Sequence, residues 1–118
     1  MTDPLTALAE QLEAEGFARS ERGPDRENFG NRVLDLTGDV HVQLVLDRSI
    51  WTIQIDGFDP DLWRAALEGT DPTDPMALDA QAEWVGANLG AIRRAAADRA
   101  TVDRLDEMAT ARAELWFG

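Results

Sequence analysis

Between Asn31 and Gly57 the chain reads NRVLDLTGDVHVQLVLDRSIWTIQIDG, with apolar and polar residues alternating at period two. That is the pattern of half-buried strands. Three strands fit, at Arg32–Thr37, Val40–Asp47 and Ile50–Asp56. Leu34 and Leu36 share a face on the first, Val40, Val42, Leu44 and Leu46 on the second, and Trp51, Ile53 and Ile55 on the third. The other face carries Asp35, Thr37, His41, Gln43, Asp47, Thr52, Gln54 and Asp56, broken only by Val33, Val45 and Ile50. One apolar face predicts an antiparallel sheet with helices on that side alone. Burying each of its apolar side chains contributes roughly 1.5–3 kcal/mol before entropy is subtracted, which makes this face the main core.

Side-chain parity restricts the turns, because a slip of one residue sends every side chain to the wrong face. Leu46 opposite Trp51 also sets Leu44 against Ile53 and Val42 against Ile55. This register admits a two-residue turn at Arg48-Ser49 or a wider four-residue loop. It places His41 opposite Asp56. The preceding hairpin needs an odd loop, Thr37-Gly38-Asp39, with Leu36 opposite Val40, because a two-residue turn there would mix the faces.

Outside this core the period changes to that of helices. Asp3-Pro4 supplies an N-cap and a first helical residue. Leu5, Leu8, Ala9 and Leu12 form an apolar stripe, and Gly16 is the stop. Phe17–Arg22 alternates weakly and reads as a short edge strand. Gly23–Gly30 is a polar loop with Phe29 as its anchor. Asp59-Pro60 opens a short helix to about Glu68, with Leu62, Trp63, Ala66 and Leu67 on its buried side. Asp74-Pro75 repeats the signal before Leu78, Ala82, Val85, Leu89, Ile92 and Ala96, a strongly amphipathic run. Gly86 and Gly90 lie on a neighbouring stripe and each costs roughly 1 kcal/mol relative to Ala. Close approach of another element offsets that cost, or the helix bends there. The pattern loses phase near Asp98–Thr101. Thr101 then caps a last helix carrying Val102, Leu105, Met108 or Ala109, with Arg112 opposite. The fold class is therefore α+β, a three- to four-stranded antiparallel sheet in the order α-(β)-β-β-β-α-α-α, in one domain spanning residues 1–118.

Charge changes the picture more than composition does. The net charge is −12, and it is uneven. Residues 59–83 carry seven acids against Arg64 alone, and residues 1–16 carry four acids and no base. Such a surface argues against nucleic acid, whose phosphates need cations. It suits a basic protein partner met by fast, salt-sensitive association, but taken alone the charge is explained more simply by a protein kept soluble by its acidity. No apolar run reaches membrane-spanning length. The acidic start lacks the basic and apolar regions of a signal peptide, so the expected location is the cytoplasm.

Candidate chemistry is sparse. There is no cysteine, and His41 is the sole histidine, so Cys/His metal ligation and thiolate catalysis are excluded and no cofactor motif appears. Ser20 and Ser49 sit in no nucleophile elbow. His41 with Asp56 has the residue types of a base and its orienting partner, and Asp35, Asp47 and Asp56 those of a carboxylate cluster. A solvated sheet face carrying spaced charges explains the same residues more simply. Among the tryptophans, Trp51 and Trp63 read as core or semi-buried. Trp84 and Trp116 are the candidates for exposed aromatic anchors in a protein-binding surface.

Asn28-Phe29-Gly30-Asn31-Arg32-Val33, the strand Val42-Gln43-Leu44-Val45-Leu46-Asp47-Arg48 with Trp51, and the tail Ala111-Arg112-Ala113-Glu114-Leu115-Trp116-Phe117-Gly118 resemble the small immunity-type proteins of bacterial polymorphic-toxin loci. Ser49 stands where that pattern has Gly. The resemblance implies a non-catalytic protein that neutralises a toxin by binding it. A basic toxin domain would then meet Asp61, Asp71, Asp74, Asp79, Glu83 and Trp84, helped by the carboxylates of the first helix. The competing readings are an acidic secretion chaperone or adaptor with an apolar groove, and a small enzyme using His41 and Asp56.

Overall fold

The computed structural model describes residues 3–22, 32–47 and 50–117. The Gly23–Gly30 loop, Phe29 and the Arg48-Ser49 turn lie outside these residues. The elements are α1 (Pro4–Ala14), β1 (Ala18–Arg22), β2 (Arg32–Thr37), β3 (His41–Asp47), β4 (Ile50–Ile55), α2 (Pro60–Glu68), α3 (Leu78–Ala96) and α4 (Arg99–Phe117). The strands form one antiparallel meander in the order β1-β2-β3-β4. The fold is α+β, with the edge strand after α1 present as expected.

The β3–β4 register follows from side-chain parity. Leu46 faces Trp51, Leu44 faces Ile53 and Val42 faces Ile55. Asp47 pairs with Ile50, which leaves two residues for the connection. The β2–β3 loop is odd, as expected, but it is displaced. Leu36 pairs with Val42 and Thr37 with His41, so the loop is Gly38-Asp39-Val40 and Val40 lies outside the strand. Packing decides this. Val40 is still buried, and the Phe17 ring lies so close under Gly38 that a Cβ there would sit 2.9 Å from it. Arg93 closes the other side, with Nε donating to both Asp39 oxygens at 2.8 and 2.9 Å and its guanidinium 5.5 Å from the centre of the Phe17 ring.

Leu36, Val42, Leu44, Ile53 and Ile55 are buried against Leu5, Leu8 and Leu12 of α1, Leu62 and Trp63 of α2, and Val85, Leu89 and Ile92 of α3. Leu34, Leu46 and Trp51, nearer the other end of the strands, are half-buried. No residue on the polar face of β2, β3 or β4 is buried, so the helices cover one side only. Trp63 is fully buried rather than semi-buried, and its indole N–H donates to Ile55 O at 2.9 Å. β4 ends because Asp56 (φ 51) and Gly57 (φ 86) turn the chain back, letting Ile55 and Phe58 exchange backbone hydrogen bonds. Two central residues at positive φ make the tightest hairpin turn, and Asp-Gly is a preferred pair for it.

Two helix starts differ from the sequence expectation. Asp74-Pro75 opens no helix; α3 begins at Leu78, after Ala77 in extended conformation. The Asp61 carboxylate takes the Met76 N–H at 2.9 Å, and Gln81 Nε2 donates to Met76 O at 2.9 Å. These bonds hold the segment extended where a helix would have recruited it. The last helix starts at Arg99, not beyond Thr101. Asp98 is the residue that begins it, accepting from Thr101 Oγ1 at 2.8 Å and from Val102 N at 3.1 Å. Arg112 lies on the packed side of α4, continuing the stripe of Leu105, Met108 and Ala109. α3 is bent at Asn88, whose dihedrals are non-helical. Just before the bend, Gln11 Nε2 from α1 donates to Gly86 O at 2.9 Å. A side chain intruding on the helical ladder is a recognised cause of such a bend.

Candidate functional site

The predicted binding residues divide by location. Asp61 is buried, with 7% of its surface exposed. Its carboxylate is committed to the Met76 N–H, and desolvation together with the neighbouring Asp59 carboxylate pushes its pKa above the ordinary value. Asp61 therefore ties the loop to α2 and offers no surface charge to a partner. Asp71, Asp74, Asp79 and Glu83 are exposed. Asp71 Oδ1 accepts from Thr73 Oγ1 at 2.6 Å and from Thr73 N at 2.9 Å, and these bonds lower its pKa. Trp84 is half-buried, with its indole N–H on the Glu68 carboxylate.

Glu68, Asp71, Asp74, Asp79 and Glu83 run from the end of α2 through the loop into the first half of α3. From Ala65 to Ile92 there is no Arg, Lys or His. Among the described residues none of these carboxylates is in an ion pair. Six arginines are engaged elsewhere, in Arg19–Glu13, Arg22–Asp35, Arg32–Glu21, Arg93–Asp39, Arg99–Asp103 and Arg112–Asp59 pairs. Concentrated like charge in one exposed stretch gives a negative field that a basic surface is drawn to. Glu10 and Glu13 on α1 and Glu15 just after it are also exposed. α1 and α3 border a groove lined by Pro4, Ala7, Leu8, Ala82, Gly86 and Ala87, with Gln11 and Glu83 as its polar members.

The polar sheet face has a different centre from the one expected. His41 and Asp56 are opposed, but the backbone makes the contact: His41 N donates to Asp56 Oδ1 at 2.8 Å. The imidazole instead reaches Asp35, with Nε2 2.7 Å from Oδ1. Gln43 Nε2 donates to the same oxygen at 2.9 Å, and Arg22 Nε donates to Oδ2 at 3.2 Å. Partial burial opposes ionisation of Asp35, but the bonds from Gln43 and His41 and the charge of Arg22 outweigh it and lower its pKa. The side chains of Asp35, Asp47 and Asp56 form no cluster, and among the described residues no group of three His, Asp or Glu side chains is placed to hold a metal.

The C-terminal end of α4 carries a surface that the predicted set leaves out. Leu115, Trp116 and Phe117 are exposed at 70, 51 and 86%. The Arg112 guanidinium lies 4.8 Å from the centre of the Trp116 ring. Sequence reasoning singled out Trp116 but not its neighbours. Helical spacing carries the stripe of Leu105, Met108, Ala109 and Arg112 on to Leu115, so periodicity alone reads that residue as packed, whereas Phe117 falls off the stripe. No helix among the described residues is long and apolar enough to cross a membrane.

Comparison of the chain with models of protein families, with curated proteins and with solved structures finds no match.

Proposed function

We propose that this chain is a non-catalytic protein-binding domain of the immunity type, which neutralises a bacterial toxin by covering a basic surface of it. The observation that carries the reading is the run of exposed carboxylates, Glu68, Asp71, Asp74, Asp79 and Glu83, with no cation between Ala65 and Ile92 and no ion pair among the described residues. Leaving them unpaired costs the free domain a little like-charge repulsion, and a cationic partner relieves it. The resemblance of the hairpin and tail to immunity-type proteins points the same way.

The test is co-expression with a toxin-like gene from the same locus of the native host, scored by survival, together with co-purification of the two products under rising salt. Rescue of growth and a complex that dissociates steeply between 0.1 and about 0.5 M salt are expected, because exposed charges are screened over that range. Absence of both rescue and complex sinks the reading.

The α1–α3 groove supports a second reading, a chaperone or adaptor that holds an apolar segment there. Its complex would persist across the same salt range.

A further inference from the structure

We infer that the tip of α4, Leu115-Trp116-Phe117, together with the Asp71–Asp74 loop beside it, is a preformed anchor site for a basic amphipathic protein segment, one apolar side chain flanked by arginine or lysine. The inference rests on the protein-binding reading and locates its apolar centre at Trp116 rather than Trp84.

Single exposed apolar residues are ordinary, but three in succession are not. At roughly 200 Å² per large residue, their exposed fractions amount to on the order of 400 Å² spread round the last turn of α4, the size of the largest apolar patch on a typical monomer, which is often a functional one. Among the described residues Ile50 is the only other exposed large hydrophobic residue.

The patch is also held in place. Arg112 lies under the Trp116 ring, and its two terminal nitrogens are fixed by Asp59 and, at 3.4 Å, by Pro72 O. A side chain stacked on an anchored guanidinium loses little freedom on binding, so less of the contact energy is spent on ordering. Trp84, by contrast, is half-buried with its indole N–H engaged on Glu68.

Charge selects the occupant. The Pro72 contact brings the Asp71–Asp74 loop against Arg112, and Asp59 already neutralises that arginine. Asp71 and Asp74 flank Pro72 in that loop, Glu114 precedes Leu115 on α4, and all three are exposed and without an ion pair among the described residues. An apolar centre with an acidic rim is complementary to an apolar residue between cations.

The experiment uses the full chain and three synthetic peptides of about twelve residues: one with a central Phe-Leu pair flanked by arginines, one with that pair replaced by Ser, and one with the arginines replaced by Glu. Binding is read by tryptophan emission and calorimetry. The first peptide is expected to bind, the other two at least ten-fold more weakly. Leu115→Ser/Phe117→Ser should weaken the first peptide at least ten-fold, and Asp71→Asn/Asp74→Asn should flatten its salt dependence. Both variants change exposed residues and should keep the wild-type unfolding midpoint. Failure of the first peptide to bind, or equal binding by the Leu115→Ser/Phe117→Ser chain, overturns the inference. So does a wild-type dimer that this variant dissolves, since a second copy would then be the occupant. The toxin reading stands or falls separately: a chain that binds the peptide at the tip but protects no cells loses only that reading. Protection undiminished by Leu115→Ser/Phe117→Ser removes only the anchor site.

Discussion

Arg112 and Asp59 form a two-point contact between α4 and the first residue before α2, with Nη1 donating to Oδ1 at 3.2 Å and Nη2 to Oδ2. Asp59 uses the same carboxylate to cap α2, accepting the Leu62 N–H at 3.1 Å. The arginine is mostly buried, so its removal leaves a carboxylate short of donors in a partly dry site. Arg112→Ala is expected to cost about 1–3 kcal/mol in urea unfolding, in line with hydrogen bonds to charged groups. Arg112→Lys should recover less than half of this, because an ammonium cannot reproduce the planar fork. Both changes should also alter Trp116 emission.

Asp61 gives a pH dependence of unusual sign. Its raised pKa means that the native state keeps the proton to higher pH than the unfolded chain, whose aspartates titrate near 3.9. Its contribution to stability therefore falls as pH rises from about 4 through the raised folded value. Asp61→Asn keeps an acceptor for Met76 N and should stay within about 1 kcal/mol of wild type at pH 7, while removing this slope. Asp61→Ala leaves the Met76 N–H unpaired and should cost about 1–3 kcal/mol. Urea midpoints measured from pH 3 to 8 distinguish the two.

Asp35 works in the opposite direction. Its pKa is lowered, so its stabilisation is complete above about pH 4 and is lost as pH falls through the folded value. Asp35→Asn should lower the urea midpoint at pH 6 and flatten its decline below pH 4. An unchanged acid limb in this variant would show that the Arg22–Asp35–His41–Gln43 group contributes nothing to stability.

Gly86 tests the contact between α1 and α3. A Cβ there would lie 2.7 Å from Gln11 Oε1, at the far end of a flexible side chain whose Nε2 donates to Gly86 O. Gly86→Ala gains up to about 1 kcal/mol of helix propensity but displaces the glutamine, so thermal unfolding should show a net change under about 0.5 kcal/mol. Combined with Gln11→Ala, which removes the obstacle, the same substitution should be stabilising by about 0.5–1 kcal/mol.

Leu105 is the one fully buried side chain of α4. Leu105→Ala should cost about 2–5 kcal/mol. If α4 detaches as a unit, hydrogen exchange will show residues 99–117 losing protection before the sheet does.

The hairpin between β3 and β4 was legible because a period of two allows one parity for each face. Asp56-Gly57 carried a strong turn signal that reading the strand through to Asp56 obscured. Asp74-Pro75 misled because a cap followed by proline is a local statement. It was overridden by a hydrogen bond from Met76 to Asp61, fifteen residues earlier in the chain. Exposure of the acids was legible in part: Asp71, Asp74, Asp79 and Glu83 face solvent, whereas Asp61, on a helix that packs at its start, does not.

The sequence by itself determined the class of fold, the apolar face of the sheet, the stripes of α1 and α3 and the surplus of negative charge. Each depends on periodicity or count, which the chain carries locally. Tertiary structure decided which acids lie at the surface, that His41 turns to Asp35 rather than Asp56, and where the β2–β3 loop sits. It also placed Arg112 inward, under Trp116 and against Asp59. Those outcomes depend on distances between residues far apart in the chain, set by how helices and strands pack, and no local pattern encodes them.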